Sequence, residues 1–127
     1  MWREWIAVAA GGMVGSVARH GLNWVFYQLG PSWLPVATLT ANCVGCFVIG
    51  WLFQWSINLQ NSDYWWVIGL RVGVLGGLTT FSTFGLEVVR AWQVERTGLA
   101  IALVIAHVVL GLAAVVIGMN SAGPLRQ

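Results

Sequence analysis

The chain has 127 residues and a mass of 13.8 kDa, which is enough for one compact domain. Only 8% of its residues are charged and 58% are hydrophobic, whereas about a quarter of a typical soluble domain is charged. Its net charge of +2 is too small for a surface that follows nucleic-acid phosphates. These values exclude a soluble globule, a disordered tail and a nucleic-acid-binding protein, and they indicate an integral membrane protein made of helices.

Four apolar runs follow one another, separated by short polar or turn-forming segments. A spanning helix needs about 20 residues to cross a hydrocarbon core roughly 30 Å thick, and each run is long enough. Trp and Tyr crowd the ends of the runs, which is typical of the membrane–water interface. We predict an all-α membrane protein whose single transmembrane domain, residues 1–127, has helices at about 5–29, 36–57, 64–92 and 98–119.

The first run has some features of a cleaved signal peptide, because Arg3 precedes an apolar stretch and residues 16–18 resemble a cleavage site. Glu4 and the glycines that dilute the apolar stretch argue against this interpretation. We therefore expect the run to be retained as a transmembrane helix. Its glycines Gly11 and Gly15 have the spacing of closely packed membrane helices.

The second run carries Thr38, Asn42 and Cys46 on one helical face. A buried Asn in a membrane helix typically makes an interhelical hydrogen bond, but it could equally line a pore. Cys43 and Cys46 form a CxxC pattern without the βαβ context of a redox motif. We interpret both cysteines as packing residues.

The third run has the least helix-compatible sequence. Paired glycines at 76–77 and paired threonines at 79–80 weaken a helix through backbone entropy and β-branching. We predict a break in mid-membrane, where protein or a cavity must cover the freed polar groups. Freed carbonyls could hold a cation, and the N-terminus of the following half-helix would favour an anion. Composition alone also allows a simple Gly/Thr packing seam.

Beyond the predicted break, Phe81 and Phe84 are three positions apart and share a helical face. Ser82 and Thr83 place hydroxyls on neighbouring faces. Glu87 lies one turn beyond Thr83, so aromatic, hydroxyl and carboxyl groups follow one another along this half-helix.

Three ionisable side chains within the apolar runs allow more than one interpretation. Arg19 could simply extend to the lipid headgroups, and Arg71, about two turns into the third run, could do the same or pair with a partner. In the fourth run His107 is the polar side chain of residues 99–117. We interpret it as a satisfied core histidine, because no second His, Asp or Glu lies beside it at metal-ligand spacing.

The string GGLTTFSTF at residues 76–84 resembles the signature of the Fluc (CrcB-type) fluoride ion channel family. Residues 11–15 leading to Arg19, and residues 38–42, match the family in the same order. The four-helix plan and the length also fit, so the resemblance covers essentially the whole chain. The chain departs from the family at His20, where members often have Tyr, and in the fourth run, which lacks the Tyr or Ser that members often carry.

The resemblance implies a channel of two identical subunits, antiparallel in the membrane, with two separate pores. It assigns seven residues to the pores: Asn42, Phe81, Phe84, Ser82, Thr83, Arg19 and Glu87. In this family the positive ring edges of the phenylalanines face the anion. The family pattern also implies that the backbone carbonyls of Gly76 and Thr79, from both subunits, hold a central structural sodium ion (Na+).

The resemblance further implies passive export of cytoplasmic fluoride through the bacterial inner membrane. The implied partners are fluoride, the lipid bilayer and a second copy of the chain. The arginines do not fix the orientation of the chain in the membrane. In the predicted topology Arg3 and Arg126 lie on one side, and Arg19, Arg90 and Arg96 lie on the other. The positive-inside rule hardly prefers either orientation, which agrees with dual topology.

A proton-coupled small multidrug exporter is the alternative, because such exporters are also four-helix dimers of dual topology. Their chemistry needs an intramembrane carboxylate. Glu4 lies at the mouth of the first run and Asp63 in a predicted loop, which disfavours an exporter. A scaffold subunit would have no use for polar clusters in mid-membrane, and no nucleophile–base pair or metal cluster indicates an enzyme.

Overall fold

In a computed structural model of the protein, residues 1–58 and 64–124 are described. The main helices in chain order are α1 (Trp2–Gln28), α2 (Leu34–Asn58), α3 (65–78), α4 (Phe81–Gln93) and α5 (Thr97–Ser121). The described residues contain no β-strand, so the all-α prediction is confirmed for them. Asp63 and Arg126, which entered the predictions above, lie outside the described residues.

Within the described residues, three helical segments are long and apolar enough to cross a membrane: Pro35–Ile57, Trp65–Gln93 and Thr97–Ser121. The protein is therefore a multi-pass membrane protein by length and composition. Helix α1 has 27 residues, which is long enough to span, but it carries Arg19, His20 and several glycines and is not among these three. Its role as a fourth span stays a prediction.

The helix predicted across the third run is interrupted at Thr79 and Thr80. Thr79 has φ −81° and ψ 154°, and Thr80 has φ −152° and ψ 119°, so two extended residues separate α3 from α4. The break predicted for this region is present, and Gly76 and Gly77 stay within the helical segment Leu75–Leu78 that precedes it. The break thus lies at the β-branched residues, which favour an extended backbone.

Helix α1 packs against α3 through glycines on both helices. A Cβ added to Gly11 would lie 2.9 Å from the Val74 amide nitrogen, and one added to Gly77 would lie 2.7 Å from the Gly12 carbonyl oxygen. Because these neighbours are backbone atoms, no larger residue fits at this crossing without separating the helices. The Gly11–Gly15 spacing therefore serves contact within one chain, and it fixes the helix that leads into the break.

The segment Gly69–Val74 of α3 is π-helical. Such segments are rare and often lie near functional sites, because the wider turn changes the direction of the side chains that follow. Here the segment directly precedes Leu75–Leu78 and the break. Arg71 lies within it.

Candidate functional site

The break between α3 and α4 is held by the side chain of Asn42 on α2. Asn42 Oδ1 accepts a hydrogen bond from the Thr80 amide at 2.8 Å, and Asn42 Nδ2 donates to the Thr80 carbonyl at 3.0 Å. A side-chain amide thus replaces the backbone bonds that an extended residue gives up in a membrane helix. Asn42 is an interhelical hydrogen bonder, and its Nδ2 carries a second N–H.

Thr80 also forms the N-cap of α4. Its Oγ1 accepts from the Thr83 amide at 3.2 Å and donates to Thr83 Oγ1 at 3.1 Å. Ser82 Oγ lies 3.2 Å from the same oxygen. The three hydroxyls therefore form one cluster at the N-terminus of a 13-residue helix, where the helix dipole favours negative charge.

Thr80 connects Asn42 to Ser82 and Thr83, although it is not among the site residues predicted from the sequence. A signal was present, because Thr is a preferred N-cap residue and Thr80 directly precedes a run of helix. The structure adds that Thr80 is only 8% exposed, so its polar groups depend on these partners.

The same hydrogen bonds release two carbonyls. In a continuous helix the Thr80 amide would donate to the Gly76 carbonyl, and the Thr83 amide would donate to the Thr79 carbonyl. Here those amides bond to Asn42 Oδ1 and to Thr80 Oγ1 instead. A Cβ added to Gly76 would meet nothing within 4 Å, so this residue borders open space in the single chain. Freed carbonyl oxygens of this kind suit a hard cation.

Phe81 and Phe84 lie side by side, as their spacing predicts, with ring centroids 5.5 Å apart and planes inclined by 59°. Phe81 is 83% exposed. Phe84 is half-buried and packs against His107 of α5, with ring centroids 4.3 Å apart. One phenylalanine therefore faces outward from the chain, whereas the other lies between α4 and α5.

Glu87 continues the site along α4. Thr38 Oγ1 donates a hydrogen bond of 2.6 Å to Glu87 Oε1, and Glu87 Oε2 is buried without a hydrogen-bond partner among the described residues. Thr38, Thr83 and Glu87 line a cavity of about 420 Å³ that Arg90 and Arg96 also border. The cavity therefore joins the hydroxyl cluster at the break to charged groups near the end of α4.

A second cavity, of about 330 Å³, adjoins the break itself. Its walls include Asn42, Gly76, Thr79, Phe81 and Arg71. Arg71 is half-buried and lines the same cavity as Gly76, Thr79 and Phe81. The sequence alone left its role open.

The structure also places Arg19 and His107, the other two ionisable side chains considered from the sequence. Arg19 is half-buried on α1 and does not line either of these two cavities. His107 Nδ1 lies 2.9 Å from the Leu103 carbonyl oxygen, but His107 Nε2 is buried without a partner in the described part of the chain. The interpretation of His107 as a satisfied core histidine is therefore wrong for one of its two nitrogens.

Comparisons with known proteins agree with the resemblance. The family model described as "CrcB-like protein, Camphor Resistance (CrcB)" matches residues 6–119. A Dehalococcoides mccartyi protein is 37% identical over 124 residues, covering 98% of this chain and 95% of the relative. For an Escherichia coli protein the identity is 46% over 96 residues, with 76% and 75% covered. For a Caulobacter vibrioides protein it is 43% over 116 residues, with 90% and 91% covered.

All three relatives carry the name "Fluoride-specific ion channel FluC". The expectation of a transport protein rather than an enzyme is thereby confirmed, since an ion channel transforms no substrate. The family model matches nearly the whole chain, including the break, both phenylalanines and Asn42. This chain therefore belongs to the CrcB family of membrane proteins, whose relatives here are named fluoride-specific ion channels.

Proposed function

We propose that this chain is a passive, fluoride-selective ion channel. The observation that carries the proposal is the group of weak donors at the break, in a chain whose relatives are named fluoride channels. Fluoride is small and strongly hydrated, so a pore must replace its water without holding it too tightly. The Asn42 amide, the hydroxyls of Ser82 and Thr83 and the ring edges of Phe81 and Phe84 offer partial positive charge of that moderate kind.

The channel is an antiparallel homodimer with two pores in this proposal. A single chain leaves Phe81 83% exposed and leaves Gly76 open at its surface. Irregular backbone at membrane depth needs cover from protein, and a second copy related by a twofold axis would supply it. A cysteine added at the N-terminus of a Cys43→Ala, Cys46→Ala protein should react from both sides of the membrane in one preparation. Reaction from one side alone would indicate parallel subunits.

A structural sodium ion at the centre of the dimer is the third part of the proposal. Its ligands would be the Gly76 and Thr79 carbonyls of both copies. The residues fit a hard cation, because both carbonyls have lost their helical donors and buried acceptors without a partner are costly. The ion would supply positive charge to these oxygens and hold the broken helices together.

We place the protein in the bacterial inner membrane. Fluoride enters a cell as neutral hydrogen fluoride and dissociates at neutral pH, so the anion accumulates inside. A membrane potential acts on each elementary charge with about 2.3 kcal/mol per 100 mV. A selective leak for the anion would therefore let the potential expel fluoride without further coupling.

A proton-coupled multidrug exporter is the second candidate, and one observation favours it. Glu87 is a half-buried carboxylate in the membrane-capable segment Trp65–Gln93, so Glu4 and Asp63 are not the chain's only acidic groups near the membrane. A channel should release fluoride from vesicles without a proton gradient. An exporter should need the gradient and should move organic cations. The names of the relatives support the channel.

The central experiment uses liposomes that contain only this protein, loaded with potassium fluoride or potassium chloride and made permeable to potassium. We expect rapid release of fluoride but not of chloride. Phe81→Ile keeps an apolar side chain of similar volume, so stability should change by less than about 1.5 kcal/mol. It removes the ring edge, so fluoride release should stop in a protein that still forms the dimer.

Cys46→Ala is the matched control, because Cys46 lies on the same helix as Asn42 and borders the same cavity but is assigned only to packing. It should release fluoride at the rate of the unmodified protein. Normal fluoride release by well-folded Phe81→Ile would exclude Phe81 from the pore. Equal release of fluoride and chloride by the unmodified protein would exclude a fluoride-selective channel.

A further inference from the structure

The two ring nitrogens of His107 have different environments. Nδ1 lies 2.9 Å from the Leu103 carbonyl oxygen one turn earlier in α5. A carbonyl oxygen can only accept, so Nδ1 carries the hydrogen and donates it. In the neutral imidazole the remaining lone pair must then lie on Nε2.

Nε2 is buried, and no described residue hydrogen-bonds to it. Nearly all buried polar atoms in proteins have a partner, so an exception needs an explanation. The imidazole packs on the Phe84 ring at a centroid distance of 4.3 Å, and Phe84 lies 5.5 Å from Phe81. The unpartnered lone pair therefore belongs to a side chain in direct contact with the aromatic pair assigned above to the anion pathway.

The charge of this imidazole changes what an anion meets at Phe84. A lone pair on Nε2 repels an anion, whereas a proton on Nε2 gives the ring a full positive charge. That charge also attracts the face of the adjacent Phe84 ring and makes the ring edge more positive. Attraction between two ligands is reciprocal, so an anion beside Phe84 must in turn favour the protonated imidazole.

Other titratable groups lie on the helices around α5, and the experiment must separate their effect on the pH dependence from that of His107. The helices packed against α5 are α2, which carries Cys43 and Cys46, and α4, which carries Glu87 and Arg90. Glu87 as a carboxylate would favour the imidazolium, and Arg90 would oppose it. Among these side-chain types, only histidine ordinarily changes charge between pH 5 and 8.

We propose that His107 Nε2 takes up a proton when an anion lies beside Phe84, so that fluoride conduction by this chain increases on acidification. The proposal rests on the channel function proposed above. The proton comes from a hydronium ion of the solution, which becomes a water molecule, and forms one N–H bond on Nε2. It returns to the solution when the anion moves on. His107 acts here as a positioning residue for the anion through Phe84.

The first test measures fluoride release from liposomes at about pH 7.5 and about pH 5.5, after subtraction of the leak of protein-free liposomes. Release by the unmodified protein should rise severalfold at the lower pH, because the proposed proton on Nε2 places positive charge beside Phe84. His107→Gln should remove the rise, and His107→Asn is the second variant if the Gln protein does not form the dimer. His20→Gln removes the other histidine of the chain, which is exposed, and should keep the rise.

The results of this first test separate failure of the His107 proposal from failure of the channel function. Fluoride release that does not depend on pH overturns this inference and leaves the channel function standing. A rise that survives in His107→Gln but disappears in Glu87→Gln moves the proton to Glu87 and also overturns it. Absence of fluoride release at every pH overturns the channel function, and the inference with it.

The second test has a readout other than transport. His20→Gln protein labelled with ¹⁵N-histidine in detergent has His107 as its single histidine. Near neutral pH, sodium fluoride should move the Nε2 resonance from the value of a lone-pair nitrogen to that of a protonated one. Sodium chloride should not, and Phe84→Ile should weaken the response to fluoride. An unchanged resonance in fluoride would overturn the proposal.

Discussion

Asn42 forms two hydrogen bonds to the backbone of a single residue, Thr80, accepting from its amide at 2.8 Å and donating to its carbonyl at 3.0 Å. The interruption between α3 and α4 is therefore fixed by a neighbouring helix and not by local sequence alone. Because the bond to Asn42 occupies the Thr80 amide, it also leaves the Gly76 carbonyl without its helical donor. One amide side chain thus links the support of the break to the proposed cation site.

Asn42→Ala should destabilise the protein, because it leaves the Thr80 amide and carbonyl unpaired. A buried polar group left unpaired costs about 1–3 kcal/mol, so the midpoint of thermal unfolding in detergent should fall clearly. Asn42→Asp keeps an acceptor for the Thr80 amide but sets a second acceptor oxygen against the Thr80 carbonyl, so it should also unfold at a lower temperature than the unmodified protein. It should still lose fluoride release, because it adds negative charge at the break. Equal stability of Asn42→Ala and Cys46→Ala would contradict this role.

Thr80→Val should weaken the start of α4. The change keeps β-branching and the extended backbone but removes Oγ1, which caps the helix and contacts Ser82 and Thr83. Loss of an N-cap side chain costs about 1 kcal/mol, and fluoride release should decrease because the hydroxyl cluster is lost. Thr80→Ser restores the hydroxyl and should recover both properties. If Thr80→Ser and Thr80→Val unfold at the same temperature and release fluoride at the same rate, the Thr80 hydroxyl has no such function.

Gly77→Ala should separate α1 from α3. Its added Cβ would lie 2.7 Å from the Gly12 carbonyl oxygen, and a backbone atom cannot yield as a flexible side chain can. Forced overpacking typically costs about 1–3 kcal/mol, so the yield of dimer on gel filtration and the unfolding temperature should both fall. Gly21→Ala is the control, because a Cβ there meets nothing within 4 Å. Matching behaviour of the two variants would show that the crossing is looser than described.

Replacing sodium should weaken the dimer if the Gly76 and Thr79 carbonyls hold this ion. Purification and thermal unfolding in lithium chloride, or in the chloride salt of a bulky organic cation, should give a lower unfolding temperature than sodium chloride. Binding of an ion to the folded state alone adds stability that grows with its concentration, so titrating sodium back should restore it. Unfolding that is indifferent to the cation would count against the proposed sodium site.

The sequence by itself determined the class of the protein and the region of the break. Hydropathy, run length and interfacial aromatic residues are local properties, and a helix that spans a membrane satisfies its own backbone. The pair Thr79 and Thr80 is also a local signal, since β-branched residues favour an extended backbone wherever neighbours allow it. The contact between Phe81 and Phe84 followed from their spacing on one helix.

Only the tertiary structure decided which groups meet across helices. Asn42 and Thr80 are 38 positions apart, and helical periodicity gives the face of Asn42 but not the helix opposite it. The same holds for His107, whose contact with Phe84, and whose Nε2 without a partner among the described residues, depend on how α5 packs against α4. Gly76 and Gly77 have weak helix propensity but are helical in the structure, where Gly77 packs closely against α1. Packing decided these points because contacts between distant residues outweigh local preference once water is excluded.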